Sequence, residues 1–220
     1  MKKLFFCAIA GALTLSACNQ GNETKSDATV VDSAKVENNE AASAPTEATA
    51  APMSKEDAEK AYMSYMTPGQ EHEMMKKDVG RWTVEMKSWM HPDSAAMESK
   101  GTADIKMVMG GRYQEALFKS TWMGQPFEGR SLTAFDNTKK TYINTWIDNM
   151  GTGMMIMEGK PSTDGKTMTF VGKMTDPISG KDLDCREVWT IVDDKTQLME
   201  MYSNRYGKEA KEMEMKMIKQ

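Results

Sequence analysis

From about residue 81 to the C-terminus the sequence predicts a mainly β domain: an up-and-down antiparallel barrel of about ten strands, preceded by one or two short helices. Three observations predict it. Apolar residues alternate with polar ones at period two in about ten short segments, the pattern of half-buried strands. Between the segments stand turn-forming pairs such as Gly110-Gly111, Gly124-Gln125, Asp164-Gly165, Ser179-Gly180 and Tyr206-Gly207, links so short that consecutive strands must run antiparallel. Finally, an open meander of that size leaves two unpaired edges, which closure removes. The alternative is a two-layer β-sandwich, because alternation alone does not separate one closed sheet from two packed ones.

The elements follow in order. Lys2 and Lys3 precede an apolar run, Leu4 to Leu15, that is too short to span a bilayer. Leu15-Ser16-Ala17-Cys18 then resembles a bacterial lipobox, which implies a signal peptide over 1–17 and a lipidated Cys18 as the mature N-terminus. The competing reading is an ordinary cleavage site with Cys18 beside it. Several acyl chains would anchor the protein stably to the lipid bilayer. Asn19 in place of Asp favours, by the same resemblance, the outer membrane facing the periplasm of a Gram-negative cell.

Residues 18–52 are rich in Ala, Ser, Thr, Glu and Asn and hold no aromatic side chain, so they cannot bury enough surface to fold. As a tether they would span roughly 30 Å. Residues 53–80 read as short helices: Ser54 is an N-cap ahead of Glu56 and Asp57, Pro68-Gly69 ends the first helix, and a second runs from about Gln70 to Lys77. Residues 81–220 are the barrel. Its strands are expected at Trp82 to Met86, Ala103 to Met109, Arg112 to Met123, Phe127 to Phe135 and Lys140 to Asp148. Five more follow at Met154 to Glu158, Lys166 to Met174, Lys181 to Val192, Thr196 to Asn204 and Lys208 to Ile218.

Composition narrows the function classes. The chain carries a formal charge of -4, which becomes -6 once Lys2 and Lys3 are removed, and its Lys and Glu residues are interspersed. Nucleic acid is therefore not an expected partner. Cys7 leaves with the signal and Cys18 is acylated, so Cys185 stands alone and no internal disulfide forms. Leu183, Cys185, Trp189 and Ile191 share a strand face, which favours a buried, inert thiol over a reactive one. His72-Glu73 begins like a zinc-protease helix, but Lys76 occupies the second ligand position. No nucleophile elbow, phosphate loop or dinucleotide fingerprint is present, so the sequence supplies no catalytic residue, no metal site and no cofactor.

Met replaces Leu through most of the domain. Only Leu117, Leu132, Leu183 and Leu198 lie beyond the signal, whereas Met213, Met215 and Met217 alternate with charged residues. Thioethers raise Cu(I) binding as an alternative function, but Met at period two is also what a core or a lined cavity uses. Four polar or aromatic residues are candidate ligand contacts. Arg112 and Glu187 fall in phase with apolar faces, where they either pair with each other or meet a ligand headgroup. Trp146 and Asp148 share a face with Tyr142 and Asn144 of the kind that lines a cavity; Asp148 is equally placed to cap the turn from Asn149 to Gly153.

Gly80-Arg81-Trp82, Gly110-Gly111-Arg112, Met123 to Gly129 (Met-Gly-Gln-Pro-Phe-Glu-Gly), Phe135-Asp136-Asn137, Trp146 to Gly153 and Arg186-Glu187-Val188 together resemble the bacterial domain-of-unknown-function 1579 family over about Pro68 to Gln220. The resemblance implies a lipocalin-like or calycin-like barrel and no established activity. The expectation is thus a lipid-anchored envelope protein that binds a small apolar molecule, with a non-catalytic scaffold and a Met-based Cu(I) binder as alternatives. Oligomeric state is left open.

Overall fold

The computed structural model describes residues 53–220; the expected signal segment 1–17, the expected lipidation site Cys18 and the whole expected tether 18–52 lie outside the described residues. Helix α1 spans Lys55–Met66, and its first turn is closed by Ser54 Oγ, which accepts the Asp57 amide at 3.0 Å. Helix α2 spans Gln70–Lys76, where the His72 Nδ1 accepts the Gly69 amide at 2.9 Å and so satisfies a donor at the helix start. Among the described residues no helix is long and apolar enough to cross a membrane.

Ten strands follow: β1 Gly80–Ser88, β2 Met97–Val108, β3 Tyr113–Trp122, β4 Gln125–Asp136, β5 Thr141–Asp148, β6 Met155–Pro161, β7 Thr167–Thr175, β8 Asp182–Asp193, β9 Thr196–Ser203 and β10 Ala210–Lys219. Each pairs antiparallel with the next, and β1 pairs with β10 through Trp82 opposite Lys219 and Val84 opposite Met217. One closed up-and-down barrel results. The sandwich alternative is excluded, because every strand has a hydrogen-bonded neighbour on both sides of a single sheet.

Strand β2 begins well before the expected Ala103. Gly101 interrupts the alternation in the sequence, yet a Cβ there would sit 2.3 Å from the Lys119 carbonyl oxygen and 2.7 Å from Ser120 Cβ. Only glycine lets β3 approach so closely. The β3–β4 hairpin turns on Met123 and Gly124 alone, with φ of 48° and 77°. That two-residue turn with both φ values positive suits the strand twist and forces Met123 into the left-handed region.

The interior holds two apolar clusters. One joins Trp82 and Val84 of β1 to Ala103, Phe118, Met215 and Met217, with Trp82 and Met217 almost fully buried. The other joins Met75 of α2 to Tyr142, Met157, Phe170 and Cys185. Helix α2 lies across the barrel end where β1 begins. There Gln114 donates to the Met75 carbonyl at 2.7 Å, the Trp82 indole to the Asp78 carbonyl at 2.8 Å, and Lys219 Nζ to the Lys77 carbonyl at 2.6 Å. Helix α1 buries no residue and is held from its C-terminal end: Asn137 Nδ2 donates to the carbonyls of Ser64, Tyr65 and Thr67, and Arg112 to that of Met66.

Candidate functional site

Beneath α2 the barrel encloses a cavity of about 220 Å³. Phe118, Tyr142, Met168, Phe170 and Trp189 form its apolar side, and the lining reaches the surface at Lys77, Pro161 and Lys166. Strand alternation delivers the other side. Ser131 and Thr133 of β4 and Asn144 of β5 are all buried and all point inward, Thr133 lying directly opposite Asn144 in the ladder. Asn144 is only 8% exposed, and its Oδ1 accepts no hydrogen bond among the described residues. A buried acceptor without a donor is costly, and here it lies on a cavity wall, where a molecule entering the cavity could supply the donor.

Under the helix, Asp78 accepts the Gln197 amide at 2.7 Å and the Gln114 amide at 3.2 Å. Its carboxyl is raised above the ordinary range, by burial first, against the lowering effect of those two amides. Gln114 also binds the Met75 carbonyl, so these bonds staple α2 to β3 and β9 over the cavity. His72 is buried against Phe135, and burial holds its imidazole below the usual value, in keeping with a neutral ring whose Nδ1 accepts the Gly69 amide.

The residues expected from the sequence sit elsewhere. Arg112 is exposed on the β2–β3 turn, bonded to the carbonyls of Met109 and Met66, and does not pair with Glu187. The alternation that put it in phase ends at Tyr113, where β3 begins. Trp146 and Asp148 belong to the opposite end of the barrel. There the Trp146 indole donates to Asp148 Oδ2 at 2.8 Å, and Asp148 Oδ1 accepts the amides of Met150 and Gly151, so this carboxylate caps the turn. Trp146 packs on Phe118 and Phe127.

Glu187 does face the interior and is 5% exposed, two residues deeper along β8 than the cavity residue Trp189, whose indole donates to it. Burial pushes its carboxyl up to about 7, only partly opposed by that hydrogen bond. None of the four expected contacts lines the cavity. Asn144 and Gln114 were legible as polar residues on inward faces. Ser131, Thr133, Asp78 and Gln197 were not, because small hydroxyls, a residue preceding the first strand and a glutamine at the start of β9 look like solvent-facing positions in a sequence.

Cys185 is buried, with its Sγ 3.6 Å from Met155 Sδ and 3.8 Å from Met157 Sδ. Burial, and then the nearby Glu187 and Glu212 charges, push the thiol up to about 12, an inert state. At the end of the barrel away from α2, Arg205 bridges Asp176 and Glu212, and Ser203 donates to Glu212 at 2.5 Å. This fully paired network ties the β7–β8 and β9–β10 turns together. Among the described residues no group of three or more His, Cys, Asp or Glu side chains is placed to hold a metal ion.

Among solved structures, Rv2717c from M. tuberculosis aligns with a TM-score of 0.54 at 11% identity, covering 70% of this chain and 99% of that one. The S-type phycobiliprotein lyase CPES from Guillardia theta aligns with a TM-score of 0.49 at 11% identity, covering 72% of this chain and 96% of its own. At such identity the likeness to Rv2717c is one of fold. No curated protein sequence matches the chain. The sequence profile of the family described as protein of unknown function (DUF1579) matches residues 67–219, so the chain belongs to that family.

Proposed function

We propose that this protein binds a small, largely apolar molecule in the cavity beneath α2, and that it does so tethered to the cell envelope through acylated Cys18. One observation carries the binding reading: an apolar cavity whose wall contains a buried, unpartnered amide oxygen at Asn144. A barrel selected only as a scaffold would fill that space or pair that group. The volume lies below the roughly 300–1,000 Å³ of drug-sized sites, so the ligand is small. Anchoring rests on the Leu15-Ser16-Ala17-Cys18 sequence, and the acidic mature chain agrees with a partner other than nucleic acid.

Native mass spectrometry of the full-length protein, released gently from the cells that make it, tests the binding. A retained organic mass, lost when Ser131→Phe fills the cavity, is the expected result; a ligand-free protein in every preparation would count against it. For the anchor, labelled palmitate is expected in the wild-type chain and absent from Cys18→Ser. Unlabelled wild-type protein would remove the membrane from the account.

A second reading, Cu(I) binding, has one observation in its favour: the Cys185 sulfur on β8 lies 3.6 Å and 3.8 Å from the thioether sulfurs of Met155 and Met157 on β6. Competition against a moderate Cu(I) chelator decides it. Equal, weak competition by wild type and Cys185→Ser would reduce the cluster to packing.

A further inference from the structure

Resting on the cavity reading above, we infer the class of ligand: a neutral molecule with an apolar body and one hydroxyl, the hydroxyl seated on Asn144 between β4 and β5. The polar wall is uncharged. Ser131, Thr133 and Asn144 offer two hydroxyls and a carboxamide, all of them at least nine-tenths buried. An ionised group placed among them would lose its hydration without gaining a counter-charge.

The charged side chains of the lining lie away from that wall. Lys77 and Lys166 are exposed at the mouth, and Asp78, the remaining one, already receives an amide hydrogen on each carboxylate oxygen, from Gln197 and Gln114. A carboxylate ligand would in addition face Asp78 across the cavity. What is missing is a donor to Asn144 Oδ1, which accepts nothing among the described residues. A hydroxyl donates to that oxygen and still accepts from Ser131 or Thr133, which a pure acceptor such as an ether does not do. Phe170, Met168 and Trp189 then surround the rest of the molecule with apolar surface.

Titration calorimetry of the full-length protein with two isomers, decan-1-ol and methyl nonyl ether, reads this directly, with decanoate and decylammonium as charged counterparts. The alcohol is expected to bind roughly tenfold more tightly than the ether, the worth of one buried hydrogen bond, and both charged chains more weakly than the alcohol. In Asn144→Leu the alcohol should lose its tenfold advantage, so that the ratio of alcohol to ether affinity falls to about one. Equal affinity of alcohol and ether in the wild-type protein would overturn the inference and leave the apolar cavity reading standing. Tighter binding of either charged chain would also overturn it. Binding of none of the four would overturn the cavity reading and the inference together. The wild-type comparison does not depend on the variant folding.

Discussion

The wall of the barrel formed by β1 and β10 and the wall formed by β4 and β5 obey the same alternation and reach opposite ends. On the first, Trp82, Val84, Met215 and Met217 face inward as large apolar side chains and are packed to near-complete burial. On the second, Ser131, Thr133 and Asn144, which share the inward face with Tyr142, are also buried yet face open space. Burial alone therefore does not mark a core: one wall is buried by protein atoms, the other by a cavity. The first wall holds the fold together, and the second keeps room for a guest.

The largest test of that contrast is truncation of the packed wall. Trp82→Ala removes a side chain 2% exposed and should cost about 3–5 kcal/mol in urea unfolding, whereas Thr133→Val on the opposite wall should cost under about 1 kcal/mol. Equal losses would erase the distinction. Next comes Glu187. Its carboxyl is raised from 4.5 to about 7 in the folded protein, so the fold favours the protonated form. That contribution is complete below pH 4.5, declines as pH rises through about 7, and is gone beyond it. Glu187→Gln should consequently gain stability relative to wild type across that window, up to about 3 kcal/mol in mild alkali. Parallel pH profiles of the two proteins would show that Glu187 is not desolvated.

Strand β4 carries the comparison within itself. At its far end a Cβ on Gly129 would lie 2.3 Å from Trp146 Cζ2, so Gly129→Ala should destabilise by about 1–3 kcal/mol, measured in the same denaturant series. The smallest effect is expected at Asn144. Replacing it by Leu removes an unpartnered buried oxygen and should leave the ligand-free protein unchanged or up to about 1 kcal/mol more stable. A loss there would mean that Asn144 serves the fold.

Much of this was legible in the sequence. Period two and the turn pairs locate ten strands, and the closure argument selects a barrel over a sandwich; Met213, Met215 and Met217 point inward as their spacing requires. The start of β2 was hidden because a close backbone approach at Gly101 looks like a break. The site was only partly readable. In-phase logic finds Gln114 and Asn144, but it carries Arg112 past the end of β3 and cannot say that Asp148 spends its oxygens on a turn. Which polar residues face a void depends on how far the opposite wall reaches, and that is set by the shape of the closed sheet.

The central claim is tested most directly by titrating the protein with N-phenyl-1-naphthylamine, a neutral apolar fluorophore with a single N–H donor. Saturable enhancement at one site per chain, lost in Ser131→Phe while the far-ultraviolet spectrum is unchanged, is the predicted result. No enhancement in the wild-type protein, or enhancement that survives in Ser131→Phe, would contradict it.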